Sequence, residues 1–248
     1  MMKTTKLYKA FIGLLVVCLP TSYLVAQESS SSLSVGADVV SAATWRGARL
    51  AGASVQPSIS FETGGFSIGA WGSTDLEYGL GDFGYTELDF TVGYSLGGVS
   101  LALTDYSWTG LSTGFDYFGT YADNHIVELG VGVELGEYVE KLPISLSLNT
   151  MLYGANKTAS NTQAYSSYFE AGYGYTLGET DLSIALGAAL EQDGANMYSG
   201  KDGFNVVNIS VGAAKTIQLT TDYSVGLFGT ITYNPTSEGI FFATGVNF

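Results

Sequence analysis

The residues best suited to chemistry in this chain are carboxylates. Asp38, Glu62, Asp75, Glu77, Glu87, Asp89, Glu128, Glu134 and Glu170 stand among apolar residues, with the acids taking the alternate positions. Alternate positions share one face of a strand. Gathered around an enclosed space, such a row would favour cations, and only Arg46 and Lys215 are read as bases on the same face. An alternative reading stays open, in which a few of these acids pair with Arg46 and plug the interior with a salt-bridged network. His125 is the only histidine, and the only cysteine, Cys18, lies in a leader-like segment, which excludes a zinc site of several His or Cys ligands. No cofactor is implied.

Other motifs carry less. Gly93-Tyr94-Ser95-Leu96-Gly97 and Gly110-Leu111-Ser112-Thr113-Gly114 match the G-x-S-x-G pattern of hydrolases, but neither has the strand-turn-helix setting that aims a serine nucleophile. Gly79-Leu80-Gly81-Asp82-Phe83-Gly84 matches a dinucleotide fingerprint with no helix behind it to hold a phosphate.

The elements that must position the acids are strands. Leu33, Val35, Ala37 and Val39 alternate with Ser34, Gly36 and Asp38, and the same period of two recurs to the end of the chain. It passes through Val207, Ile209 and Val211 and closes on Ile240, Phe242, Thr244, Val246 and Phe248. About twelve strands are predicted. Gly64-Gly65 and Gly97-Gly98 are hairpin turns, and short and long connections alternate along the chain. Trp71, Met151, Tyr153, Tyr168, Phe228 and Phe241 fall on the same face as the acids, and Pro57, which lacks a ladder donor, predicts a local bulge.

The 248-residue chain carries a formal charge of −14, yet 46% of it is apolar and its mean hydropathy is positive. The acidic balance makes nucleic acid an improbable partner. Residues 1–26, with Lys3, Lys6 and Lys9 ahead of an apolar run, read as a cleaved signal peptide, 27–32 as a short polar segment and 33–248 as one domain. Loss of those three lysines takes the charge to −17. An apolar face with nothing else to cover it, an even strand number and alternating short turns and long loops predict an all-β, transmembrane, antiparallel up-and-down β-barrel of the bacterial outer membrane. Acids are costly against lipid, so their face is the lumen. Tyr94, Tyr173, Tyr175, Tyr223, Tyr233 and Phe248 are placed in aromatic girdles. Phe242, Val246 and Phe248 resemble the C-terminal signal read by outer-membrane assembly machinery, which would be a partner during biogenesis with periplasmic chaperones. The loop 110–124, with Phe115, Tyr117, Phe118 and Tyr121, is open to three readings: an inward constriction, an external ligand site or a cap.

Asp38-Val39-Val40 leading to Trp45-Arg46-Gly47, then Gln56-Pro57-Ser58, Gly69-Ala70-Trp71-Gly72-Ser73 and Glu87-Leu88-Asp89, resembles a family of uncharacterised bacterial porins of the TorF type. Ala43 stands where that family often has an aromatic residue. The resemblance implies a barrel and a porin, and no substrate. The function expected is a passive, cation-preferring pore for small solutes in outer-membrane lipid, without enzymatic activity. The alternatives are a closed barrel with a structural or surface-binding role, and an outer-membrane lipid hydrolase using His125, which begins a strand roughly where outer-membrane phospholipases carry theirs.

Overall fold

The computed structural model describes residues 31–76, 84–111 and 114–248. The predicted signal peptide, most of the predicted short polar segment and Glu77 lie outside the described residues.

Twelve strands close into one antiparallel barrel: β1 (Ser32–Val40), β4 (Ser54–Thr63), β5 (Phe66–Asp75), β6 (Thr86–Leu96), β7 (Val99–Trp108), β8 (Ile126–Glu134), β9 (Ile144–Gly154), β10 (Ser167–Leu177), β11 (Thr180–Glu191), β12 (Gly203–Gln218), β13 (Ser224–Asn234) and β14 (Gly239–Asn247). Each pairs with its sequence neighbour in the wall, and β1 meets β14. The predicted architecture and strand number are both observed. Two further strands, β2 (Ala43–Trp45) and β3 (Ala48–Ala51), form a hairpin of their own in a stretch whose sequence reads as a connection.

The apolar set faces outward and stays open to the surroundings: Ile184, Val211, Ile231 and Phe242 are more than half exposed. This inverts the usual placement of aliphatic side chains and leaves an apolar surface round the barrel far larger than single exposed residues would make. One end carries tight turns. Gly64-Gly65 and Gly97-Gly98 have positive φ at both central residues, the type I′ geometry that matches strand twist. The other end carries the longer connections. Exposed Phe66, Tyr94, Tyr173, Tyr175, Tyr223 and Phe248 ring the turn end, and Phe90, Tyr153, Phe169 and Tyr233 ring the loop end.

Three local readings are corrected. Pro57 makes no bulge: β4 keeps one register against β5, and the ladder omits only the rungs at Gln56 and Pro57. Glycine at 72 leaves room for the ring, and Gln56 Nε2 spans the gap to Ser73 Oγ at 3.3 Å. Two bulges fall elsewhere. An extra residue in β9, between Met151 and Tyr153, turns Tyr153 outward, and an extra residue in β12, Val207, becomes fully buried.

Candidate functional site

The β2–β3 hairpin folds into the barrel near its loop end and reaches across the cross-section. Its two-residue turn is Arg46-Gly47, with φ of 44° and 84°. Arginine in the left-handed region costs about 1 kcal/mol or more, and its surroundings hold it there. The guanidinium makes a bidentate pair with Glu128 of β8, at 2.5 and 2.7 Å, and Nη1 also donates to the Tyr198 hydroxyl at 2.7 Å. Its plane lies 4.5 Å from the Trp45 ring and 5.0 Å from that of Tyr168. Arg46 is 5% exposed and Glu128 2%, so this ion pair is removed from solvent.

Gly47 sits so close to the Val207 bulge that a Cβ would lie 1.9 Å from the Val207 carbonyl oxygen, and Asn234 Nδ2 donates to the Gly47 carbonyl at 3.0 Å. Trp45 packs on Tyr106 and Trp108 of β7 and on Tyr198. The hairpin therefore touches β7, β8, β10, β12 and β13 although it starts from β1. Tyr106, Ile126 and Met151 form a buried cluster against it.

The connection between β11 and β12 supplies Tyr198 and is tied down by Glu191, which is 2% exposed and accepts from the backbone N–H groups of Met197, Tyr198 and Ser199 at 2.7, 3.0 and 2.7 Å. Burial pushes the Tyr198 hydroxyl above the ordinary phenol range, against the pull of Arg46, so it stays a donor. Below it Glu170 accepts from Tyr168 and from Asn208 Nδ2 at 3.0 Å.

The structure distributes the sequence-selected acids along the inner wall. Arg46, Glu128 and Glu170 come together in the plug. Glu87 accepts from the Tyr85 hydroxyl, and Asp89 beside it is 6% exposed with Oδ1 lacking a partner. Asp75 is held by the Tyr85 N–H at 2.9 Å. Asp38 accepts from Asn247, while Glu62 and Glu134 stand near the turn end, far along their strands from the hairpin. Lys215 does not join them. It faces outward opposite Leu227 and pairs with Glu179 at 3.0 Å at the turn end, which leaves Arg46 the only buried lysine or arginine among the described residues. Tyr106, Trp108, Tyr168, Glu191, Tyr198 and Asn208 also build this site. Their parity was legible for some, but nothing in their spacing ties them to Arg46.

His125 lies at the loop end against the outer wall. Nδ1 meets Asp105 Oδ1 at 2.9 Å, and Nε2 donates to the Tyr117 carbonyl at 2.7 Å. Tyr121, in the single-turn helix α1 (Tyr121–Asn124), stacks on the imidazole at 4.0 Å and donates to Asp105. Tyr117 packs edge-on to outward Phe90. The part of loop 110–124 from Tyr117 to Asn124 thus drapes over the outside of the barrel as a cap, while Gly110 and Leu111 at its start line the inner mouth beside Trp45. The hairpin at 43–51 occupies the interior.

Two cavities flank these features. One of about 230 Å3 at the loop-end mouth is bounded by Trp45, Tyr85, Glu87, Trp108 and Tyr198, and one of about 220 Å3 lies on the outer wall beneath Tyr121. Among the described residues no cluster of three or more His, Cys, Asp or Glu could hold a metal ion, and no helix is long and apolar enough to cross a membrane. The chain matches no protein-family model, and comparison with curated proteins finds no match.

Proposed function

We propose that the protein is a bacterial outer-membrane channel whose acid-lined lumen is held shut at its outer end by the β2–β3 hairpin and conducts small cationic solutes when the hairpin yields. The observation that carries this is the Arg46–Glu128 pair, buried inside the barrel near its loop end and joining a segment between β1 and β4 to the far wall. The membrane part rests on the apolar outer wall, its two aromatic rings and the division into tight turns and longer loops. Outward Phe242 and Val246 on the last strand, with Phe248 directly after it, suit recognition by assembly machinery. The TorF-type resemblance stays within this proposal, with Trp45-Arg46-Gly47 as the turn of the plug. The lumen's cation preference follows from its acids outnumbering Arg46 and Arg49 of the hairpin. A lipid hydrolase is disfavoured, because the His125 nitrogen that would act as base is occupied by the Tyr117 carbonyl.

The test is planar-bilayer conductance of the refolded protein beside a variant in which residues 43–51 are replaced by a short Gly-Ser linker. The expected result is a nearly silent parent and a variant with steady openings, cation-selective across a salt gradient. A folded variant that stays silent, or one that prefers anions, overturns the reading.

A further inference from the structure

The mouth cavity has a composition that the plug itself does not need. Its walls are rings, Trp45, Tyr85, Trp108 and Tyr198, with Leu111 and the carboxylate of Glu87. Two charges bear on it with opposite sign. The positive one, Arg46, is already matched by both oxygens of Glu128. The negative one is not matched: Glu87 receives only a hydroxyl hydrogen bond from Tyr85, and behind it Asp89 keeps an unpartnered oxygen at 6% exposure. No other basic side chain lines the cavity among the described residues. The rings show how they accept positive charge, since the guanidinium of Arg46 lies 4.5 Å from the centre of Trp45 and 5.7 Å from that of Tyr198. A cation with an apolar skin is stabilised by ring faces and by a carboxylate together, whereas a neutral molecule gains only the apolar contact.

We propose that this cavity binds a small organic cation of the alkylammonium class, held between the Trp45, Trp108 and Tyr85 rings with its charge on Glu87. This deepens the channel reading by naming the solute that meets the mouth first, and it rests on that reading only for the direction of approach. Binding itself needs no conduction.

The experiment titrates choline chloride into the refolded full-length barrel and follows intrinsic fluorescence, two of the three tryptophans being Trp45 and Trp108 at the cavity. Sodium chloride at equal ionic strength sets the baseline, and 3,3-dimethylbutan-1-ol serves as the uncharged isostere. Expected is a saturable change with choline, none with the isostere, and affinity weakened by about tenfold or more in Glu87→Gln, the scale of a lost charge-assisted contact. Asp89→Asn weakens it less. Should Glu87→Gln fail to refold by heat-modifiable gel mobility, Trp108→Leu gives the same test from the aromatic side. Absence of saturation, equal response to the isostere, or full affinity in a folded variant overturns the proposal. If choline binds while the linker variant never conducts, the channel reading falls and this site stands; conduction without binding means the converse.

Discussion

A buried charge pair is judged by what each half does alone. Arg46 and Glu128 have given up their water, and each is stabilised by the other and by Tyr106 and Tyr198, with the Trp45 and Tyr168 rings against the guanidinium. Breaking such a pair leaves one uncompensated buried charge and costs about 3–5 kcal/mol, while replacing both partners by apolar groups of similar size is near neutral. Urea titrations of refolded protein are expected to place Arg46→Ala well below the parent and Arg46→Met/Glu128→Leu close to it. Equal losses in the single and double variants would mean the pair contributes by shape alone. At this scale the sequence was informative about sidedness. Period two put Glu128, Glu170, Glu87 and Asp89 on the inner face, because a carboxylate has nowhere else to go when the other face is apolar. It was silent about partners: the link from Arg46 to Glu128 spans 82 positions, and that to Tyr198 spans 152. Lys215 was misplaced because a lysine near a strand end can lie along the outer wall and reach Glu179, which alternation alone does not reveal.

The hairpin is the element on which the proposed closure turns, and it stays in place through close backbone packing. Gly47 is the tightest contact: any side chain there meets the Val207 carbonyl, in a backbone conformation that already disfavours side chains. Gly47→Ala is therefore expected to unseat the hairpin while leaving the wall intact. The readout is protease added from the loop side, which should cut within 43–51 in the variant and not in the parent, with heat-modifiable gel mobility unchanged in both. Uncut variant protein would mean that Val207 moves instead. No strand was read over 43–51 from the sequence, because strands of three and four residues are too short to display alternation. The bulges at Val207 and before Tyr153 were missed for a related reason. One inserted residue reverses the parity beyond it, and the apolar or aromatic residues on either side suit both faces.

Over the whole molecule the wall is uneven. β1 pairs with β4 at nine positions, from Ser32–Glu62 to Val40–Ser54, but with β14 at only three, Asp38–Asn247, Val39–Val246 and Val40–Gly245. Bonds from Ser41 N to Thr244 O at 2.8 Å and from Phe248 N to Ala37 O at 3.0 Å extend the junction by a little at each end. This seam joins the first and last strands of the wall, so it closes the longest loop in the chain and forms against the largest entropy. A closed barrel has no free edge only while this junction holds. Few backbone bonds and a costly closure together make it the place where local opening should be easiest. Hydrogen exchange on the folded barrel is expected to find the β14 amides that face β1 exchanging well before those between β11 and β12, where pairing runs from Asp181–Ala214 to Glu191–Gly203. The comparison must be made within one sample, because detergent and lipid shift absolute rates for every strand alike. Protection at the seam equal to that at β11–β12 would show that the outward contacts of Val39, Val246 and Leu227 hold the junction independently of its few hydrogen bonds. The closed form would then melt as one unit.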